Sequence, residues 1–149
     1  MRVAFVFAWA IAVVGPSCSK TPTNPSATAA VIVARAPASV AARACTGCGP
    51  FTAQLEAAVD IVVEETAGVA GQVMAIDLVL RNGSVVLAGP GQYTAENVSL
   101  FAGGTNRVPA RGSLTIRNVA IHFSDGFRAQ LPATWTLVIR FRDERGHTT

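Results

Sequence analysis

The chain has 149 residues, half of them hydrophobic and 14% charged, with twelve Lys and Arg against nine Asp and Glu. That length accommodates one domain. The positive excess lies outside the part expected to fold: residues 18–49 carry Lys20, Arg35 and Arg43 with no acid, whereas residues 50–149 hold eight Arg against nine acids. A folded part with a slight negative excess lacks the clustered basic face of a nucleic-acid footprint, so no nucleic-acid partner is expected.

At the N-terminus, Met1 and Arg2 precede the uncharged run Val3 to Val14 and then Gly15-Pro16-Ser17-Cys18. The run is too short for a membrane span, which needs about 20 apolar residues. It has the length of a signal-peptide apolar region, with Arg2 as a minimal positive flank and small residues at the exit. These residues resemble the signals of bacterial lipoproteins, which end in a four-residue box closed by a cysteine that receives lipid. Ser17 is the small residue expected before that cysteine; Gly15 stands where leucine is usual, and Pro16 also departs from the pattern. The resemblance implies that residues 1–17 are removed and that Cys18 is the lipid-attachment site. It further implies an exported protein held by its N-terminal lipid on the periplasmic or outer face of the envelope. The plainer alternative is an ordinary cleaved signal with an incidental Cys18.

Residues 18–49 are rich in Ala, Ser, Thr and Pro, a linker composition, and are expected to form a flexible tether. Its basic charge suits anionic lipid headgroups. The one apolar run, Val31-Ile32-Val33, is a candidate edge strand. Cys45-Thr46-Gly47-Cys48 closes the segment. A C-x-x-C pair does redox work at a helix N-terminus, but here Gly49-Pro50 and a strand follow, so Cys45 and Cys48 are expected to form a local disulfide. A zinc site is not expected, because beyond this pair only His122 and His147 offer nitrogen ligands and their spacing is not of a metal type.

From residue 50 onward the pattern is period two. Phe51 to Val63 alternates as one long strand or two joined at a bend. Met74, Ile76, Leu78 and Leu80 share a face and lead through Asn82-Gly83 to Val85 and Leu87, which predicts a hairpin whose primed turn centres on those two residues. Val98 to Phe101 reads as a short strand. Between Ser113 and Phe123 the apolar set changes parity at Arg117-Asn118, which predicts a bulge. Trp135 to Phe141 alternates again, and Asp143-Glu144-Arg145-Gly146 reads as a turn. No segment shows a helical repeat, so the expected fold is an all-β antiparallel sandwich over residues 50–149. The pattern resembles immunoglobulin-like modules of bacterial envelope lipoproteins, without the cysteine pair and early tryptophan of antibody domains.

Chemistry-bearing residues are sparse. His122, Ser124 and Asp125 are neighbours in sequence, but adjacency does not make a triad. The acid pairs Glu64-Glu65 and Asp143-Glu144 would suit calcium only if they met at one end of the sandwich. The acid-rich stretch Glu56 to Glu96 and the Arg-rich stretch Arg107 to Arg145 are expected to pair across strands. The irregular stretch 103–112 is expected to cross between sheets, and Thr105, Asn106, Arg107 and Arg111 make it a candidate binding loop. No enzymatic activity, cofactor or metal is expected. The leading expectation is a non-enzymatic envelope lipoprotein that displays its sandwich for binding or assembly. An exported thiol-disulfide protein using Cys45 and Cys48 and a ligand-binding module using the 103–112 loop are the alternatives. The turn at 143–146 leaves too few residues for a closing strand, so either a tether strand around Val31 fills that place, another chain donates one, or the sequence continues; the strand at 135–141 is expected to border an open edge where a protein partner pairs.

Overall fold

The computed structural model describes residues 29–45, 48 and 54–149; the signal segment and Cys18 lie outside them. The elements in order are β1 (Ile32–Arg35), β2 (Ser39–Val40), β3 (Ala42–Cys45), β4 (Gln54–Glu65), β5 (Gly71–Asn82), β6 (Val85–Thr94), α1 (Ala95–Phe101), β7 (Arg107–Val108), β8 (Ser113–Ser124), a 3₁₀ helix (Asp125–Gln130) and β9 (Ala133–Asp143). They form an all-β sandwich of two antiparallel sheets. In the first sheet β8 runs along one side of β4, and β1 and β3 lie end to end along the other. In the second, β9 runs along one side of β5, β6 and β7 share the opposite side, and β2 joins the outer margin of β9.

Alternation builds the core. Leu55, Ala57, Val59, Ile61 and Val63 of β4 and Leu114, Ile116, Val119, Ile121 and Phe123 of β8 face Val73, Ile76, Leu78 and Leu80 of β5 and Phe141 of β9. The parity change in β8 is a bulge, as its sequence implies: Asn118 has φ of 53°, the register slips between Val59 and Ile61, and the Asn118 N–H donates to Asp60 Oδ1 at 2.8 Å. A second slip, between Val73 and Ala75 of β5, was not visible in the sequence. It places Val73 in the core and leaves Met74 half-buried.

Three local expectations are corrected. The β5–β6 turn centres on Gly83-Ser84, since Asn82 pairs with Val85 and Gly83 carries the positive φ of 56°. Glycine at the first central position is the type II′ pattern, which needs no positive φ at the second. Val98 to Phe101 is helical. Thr94 is its N-cap, with the Asn97 N–H donating to Thr94 Oγ1 and the Thr94 N–H to Asn97 Oδ1, a capping box that starts the helix regardless of its short apolar run. Residues 29–45 are not a tether. They lace the two sheets together, because β1 and β3 pair with β4 while β2 crosses to pair with β9. Apolar content misleads here, since β1 and β3 contribute backbone pairing and cross-strand ion pairs more than buried side chains.

Those ion pairs also reassign the basic charge. Arg35 bonds Glu64 at 2.8 Å and Arg43 bonds Glu56, so both cations oppose acids of β4. Arg140 pairs with Asp77 across β5 and β9, which accords with the expected pairing of acid-rich and Arg-rich stretches. Brief trypsin treatment of the native protein should therefore leave the bonds after Arg35 and Arg43 intact, while the urea-unfolded chain is cut at both. Intact-mass analysis of the digest checks this.

Candidate functional site

β4 and β8 position the densest group of chemically capable side chains. Their register sets Glu56 opposite His122, and the β3–β4 register sets Arg43 opposite Glu56 with Cys45 opposite Gln54. Glu56, His122 and Cys45 thus meet on the outer face of the first sheet, and Cys48 is brought beside Cys45 with their Cα atoms 5.8 Å apart and their sulfurs joined as a disulfide. That separation suits a disulfide or a shared metal ion. Glu56 Oε2 lies 3.3 Å from His122 Nε2, 3.6 Å from Cys45 Sγ and 3.9 Å from Cys48 Sγ. Its other oxygen accepts from Arg43 Nε at 2.9 Å and from the same guanidinium's terminal nitrogen. The Arg43 hydrogen bond lowers the Glu56 pKa, and His122 adds to this against the opposing effect of burial. The one ligand atom that each of Cys45, Cys48, Glu56 and His122 offers lies within 4.8 Å of all the others. The histidine that linear spacing ruled out as a ligand is supplied by strand pairing across 66 residues.

The His122, Ser124 and Asp125 trio does not converge. Ser124 Oγ accepts from the Gly126 N–H at 3.2 Å to cap the 3₁₀ helix, and Asp125 pairs with Arg128 at 2.7 Å.

One acid of each of the two acid pairs is buried. Glu65, 2% exposed, accepts backbone N–H groups from Val31 and Ala67 at Oε1 and from Gly68, Val69 and Arg111 at Oε2, at 2.8–3.3 Å. Asp143 accepts N–H groups from Arg145 and His147 at Oδ1 and from Ala30 at Oδ2, where His147 Nδ1 also approaches to 2.9 Å. Adjacent residues Ala30 and Val31 therefore tie the two carboxylates to one end of the sandwich. A calcium ion would meet N–H groups aimed at the same oxygens, so this arrangement is structural. Burial raises the pKa of each carboxyl, but the converging hydrogen bonds outweigh it and hold both at about 2.

The 103–112 stretch crosses between sheets as expected, through β7 to β8. Its four candidate binding residues are engaged internally. Asn106 Nδ2 donates to Val73 O at 3.1 Å, Thr105 Oγ1 accepts from the Arg107 N–H, Arg107 pairs with Glu144, and the Arg111 N–H binds Glu65.

The 135–141 strand is covered at its ends only. Beyond its ladder to β5, the outer side of β9 meets β2 at Ala133 and Thr134 and the chain's last residues at Phe141 to Asp143, where Phe141 exchanges hydrogen bonds with Thr149 at 2.9 Å. The outward N–H and C=O of Phe141 fix the parity, so those of Leu137 and Ile139 face outward too. No strand lies beside them among the described residues. Trp135, Leu137 and Ile139 point to the core yet are only half-buried, Trp135 Nε1 has no hydrogen-bond partner among the described residues, and Val138 is 54% exposed.

No family of proteins, no curated protein and no solved structure matches this chain. Among the described residues no helix is long and apolar enough to cross a membrane.

Between the unfolded carboxyl range, near 4.5 for Glu and 3.8 for Asp, and the folded value of about 2, the unfolded chain binds the extra protons. Stability contributed by Glu65 and Asp143 is thus complete above about pH 5 and lost as pH falls towards 2. The urea midpoint should drop across that window, and Glu65→Gln should flatten the drop while costing about 3 kcal/mol at pH 7, since an amide cannot accept all five donors.

Proposed function

We propose that the protein is a non-enzymatic lipoprotein of the bacterial envelope, anchored through Cys18, whose immunoglobulin-like sandwich binds a second envelope protein by accepting one of its strands beside β9. The observation that carries the reading is the gap on the outer side of β9 between its two covered ends. An added strand would bond the Leu137 and Ile139 backbone groups. Its inward side chains would finish covering Trp135, Leu137 and Ile139, so the partner segment carries apolar residues at alternate positions. The immunoglobulin-like reading is supported by connectivity. Consecutive strands β4 and β5 lie in opposite sheets, as do β8 and β9, while β4 neighbours β8 and β5 neighbours β9. The envelope location rests on the signal-like residues 1–18.

Leu137→Pro tests the binding reading, because the N–H it removes faces the gap and not β5. The variant should unfold within a few degrees of wild type yet lose the partner that wild type captures from an envelope extract. In wild type, the Leu137 and Ile139 amides should exchange quickly alone and slowly in the complex. Capture undiminished by Leu137→Pro overturns the reading. For anchoring, Cys18→Ala should move the protein from the membrane fraction to the soluble one; an unmodified N-terminus on the mature wild-type protein, read by mass spectrometry, would remove the lipid.

A further inference from the structure

We propose that Cys45, Cys48, Glu56 and His122 form a zinc-binding site when the two cysteines are thiols. Donor chemistry selects the ion. Two thiolates, one imidazole and one carboxylate suit zinc, whereas calcium and magnesium require oxygen ligands throughout. Zinc–ligand lengths of about 2.0–2.3 Å in a tetrahedron place neighbouring ligand atoms about 3.3–3.8 Å apart. The three separations at Glu56 Oε2 are 3.3, 3.6 and 3.9 Å, so the carboxylate oxygen already lies at tetrahedral edge lengths from the imidazole and from each sulfur. Binding requires an external thiol reductant to convert the Cys45–Cys48 disulfide to two thiols, whose sulfurs can then move apart, and it requires the His122 Nε2 lone pair to face the ion, with the ring proton on Nδ1.

The surroundings match the charge of the filled site. Two thiolates and a carboxylate exceed the charge of zinc by one negative unit, and the Arg43 guanidinium held on Glu56 Oε1 supplies the balancing positive one. Arg43 also leaves Oε2 as the single oxygen turned to the sulfurs, the orienting role that partners of metal ligands play. Cys45, Cys48 and Glu56 are half-buried and the His122 side chain is 40% exposed, so the ion has a route in from solvent. The site would pin β3 to β4 and β8 on the outer face of the first sheet. It is independent of the β9 gap, which belongs to the other sheet.

The test uses the full chain carrying Cys18→Ser, so that Cys45 and Cys48 are its only cysteines. Reduced and titrated with cobalt(II), it should take up one ion per chain with a thiolate-to-cobalt charge-transfer absorption and the intense visible bands of tetrahedral cobalt, and zinc should displace the cobalt. Cys48→Ser should cut the charge-transfer absorption at least about twofold, since one of the two thiolates is lost. His122→Ala should weaken binding at least about tenfold, and Arg43→Ala by about 10- to 100-fold, with the band retained. A chain with two titratable thiols that shows no charge-transfer band overturns the proposal. So does a pair that native reduction cannot convert to thiols, or an affinity unchanged by both His122→Ala and Glu56→Ala.

Discussion

Burial of two carboxylates against backbone N–H groups holds one end of this sandwich together. Glu65 ends β4 and Asp143 ends β9, in opposite sheets, and between them they collect the N–H groups of residues 30–31, 67–69, 111, 145 and 147. Each of those segments is irregular where it meets the carboxylate, and an irregular segment over a buried end leaves donors without a strand to receive them. A carboxylate has enough lone pairs to take several donors at once, and its charge strengthens each bond. The entry of the N-terminal segment, the turn after β4, the connection into β8 and the terminal turn are therefore coupled through two side chains. The lacing strand β2 and the pairing of β1 follow from that entry point.

How much of this can be read from the residues depends on the range of the interaction. Leu55 to Val63 and Trp135 to Phe141 announce their strands because each side chain alternates with its own neighbours, and the parity change at Asn118 announces a bulge for the same reason. Glu65 continues the inward parity of Val63, so its burial is written in the alternation, whereas the donors that satisfy it come from distant segments. The helix at Ala95–Phe101 was hidden by Val98 and Phe101, which suit a strand as well as a helical face, although Thr94 and Asn97 carried the capping signal. Strands β1 and β3 have little apolar content and exist because β4 offers them a free side, while β2 between them pairs with β9. Least legible is the Cys45, Cys48, Glu56 and His122 group. Its members meet only through the registers of β3 and β8 on β4, and register between distant strands is a property of the folded sheet.

The two sheets divide their tasks. The first carries Cys45, Cys48, Glu56 and His122 on its outer face, and its central strand is flanked by β8 on one side and by β3 and β1 at its two ends on the other. The second carries the uncovered margin of β9 and the half-buried aromatic and aliphatic side chains beneath it. Cross-strand ion pairs at Glu56, Glu64 and Asp77 occupy charges that would otherwise make either face a general electrostatic surface.

The remaining sheet margins are blunted in different ways. At β8 the Tyr93 hydroxyl donates to the Ala120 carbonyl and accepts from the Ala120 N–H, both at 2.9 Å, so one side chain occupies the backbone groups a neighbouring strand would seek. β6 carries Pro90 and two register slips, and β1 and β3 are four residues long with Arg35 and Arg43 on them. Two copies meeting through β9 would close on each other around a twofold axis and consume both margins, and a foreign strand would do the same to a single copy. With Tyr93 of β6 seated on the Ala120 backbone, a strand could add along β8 only by displacing that side chain.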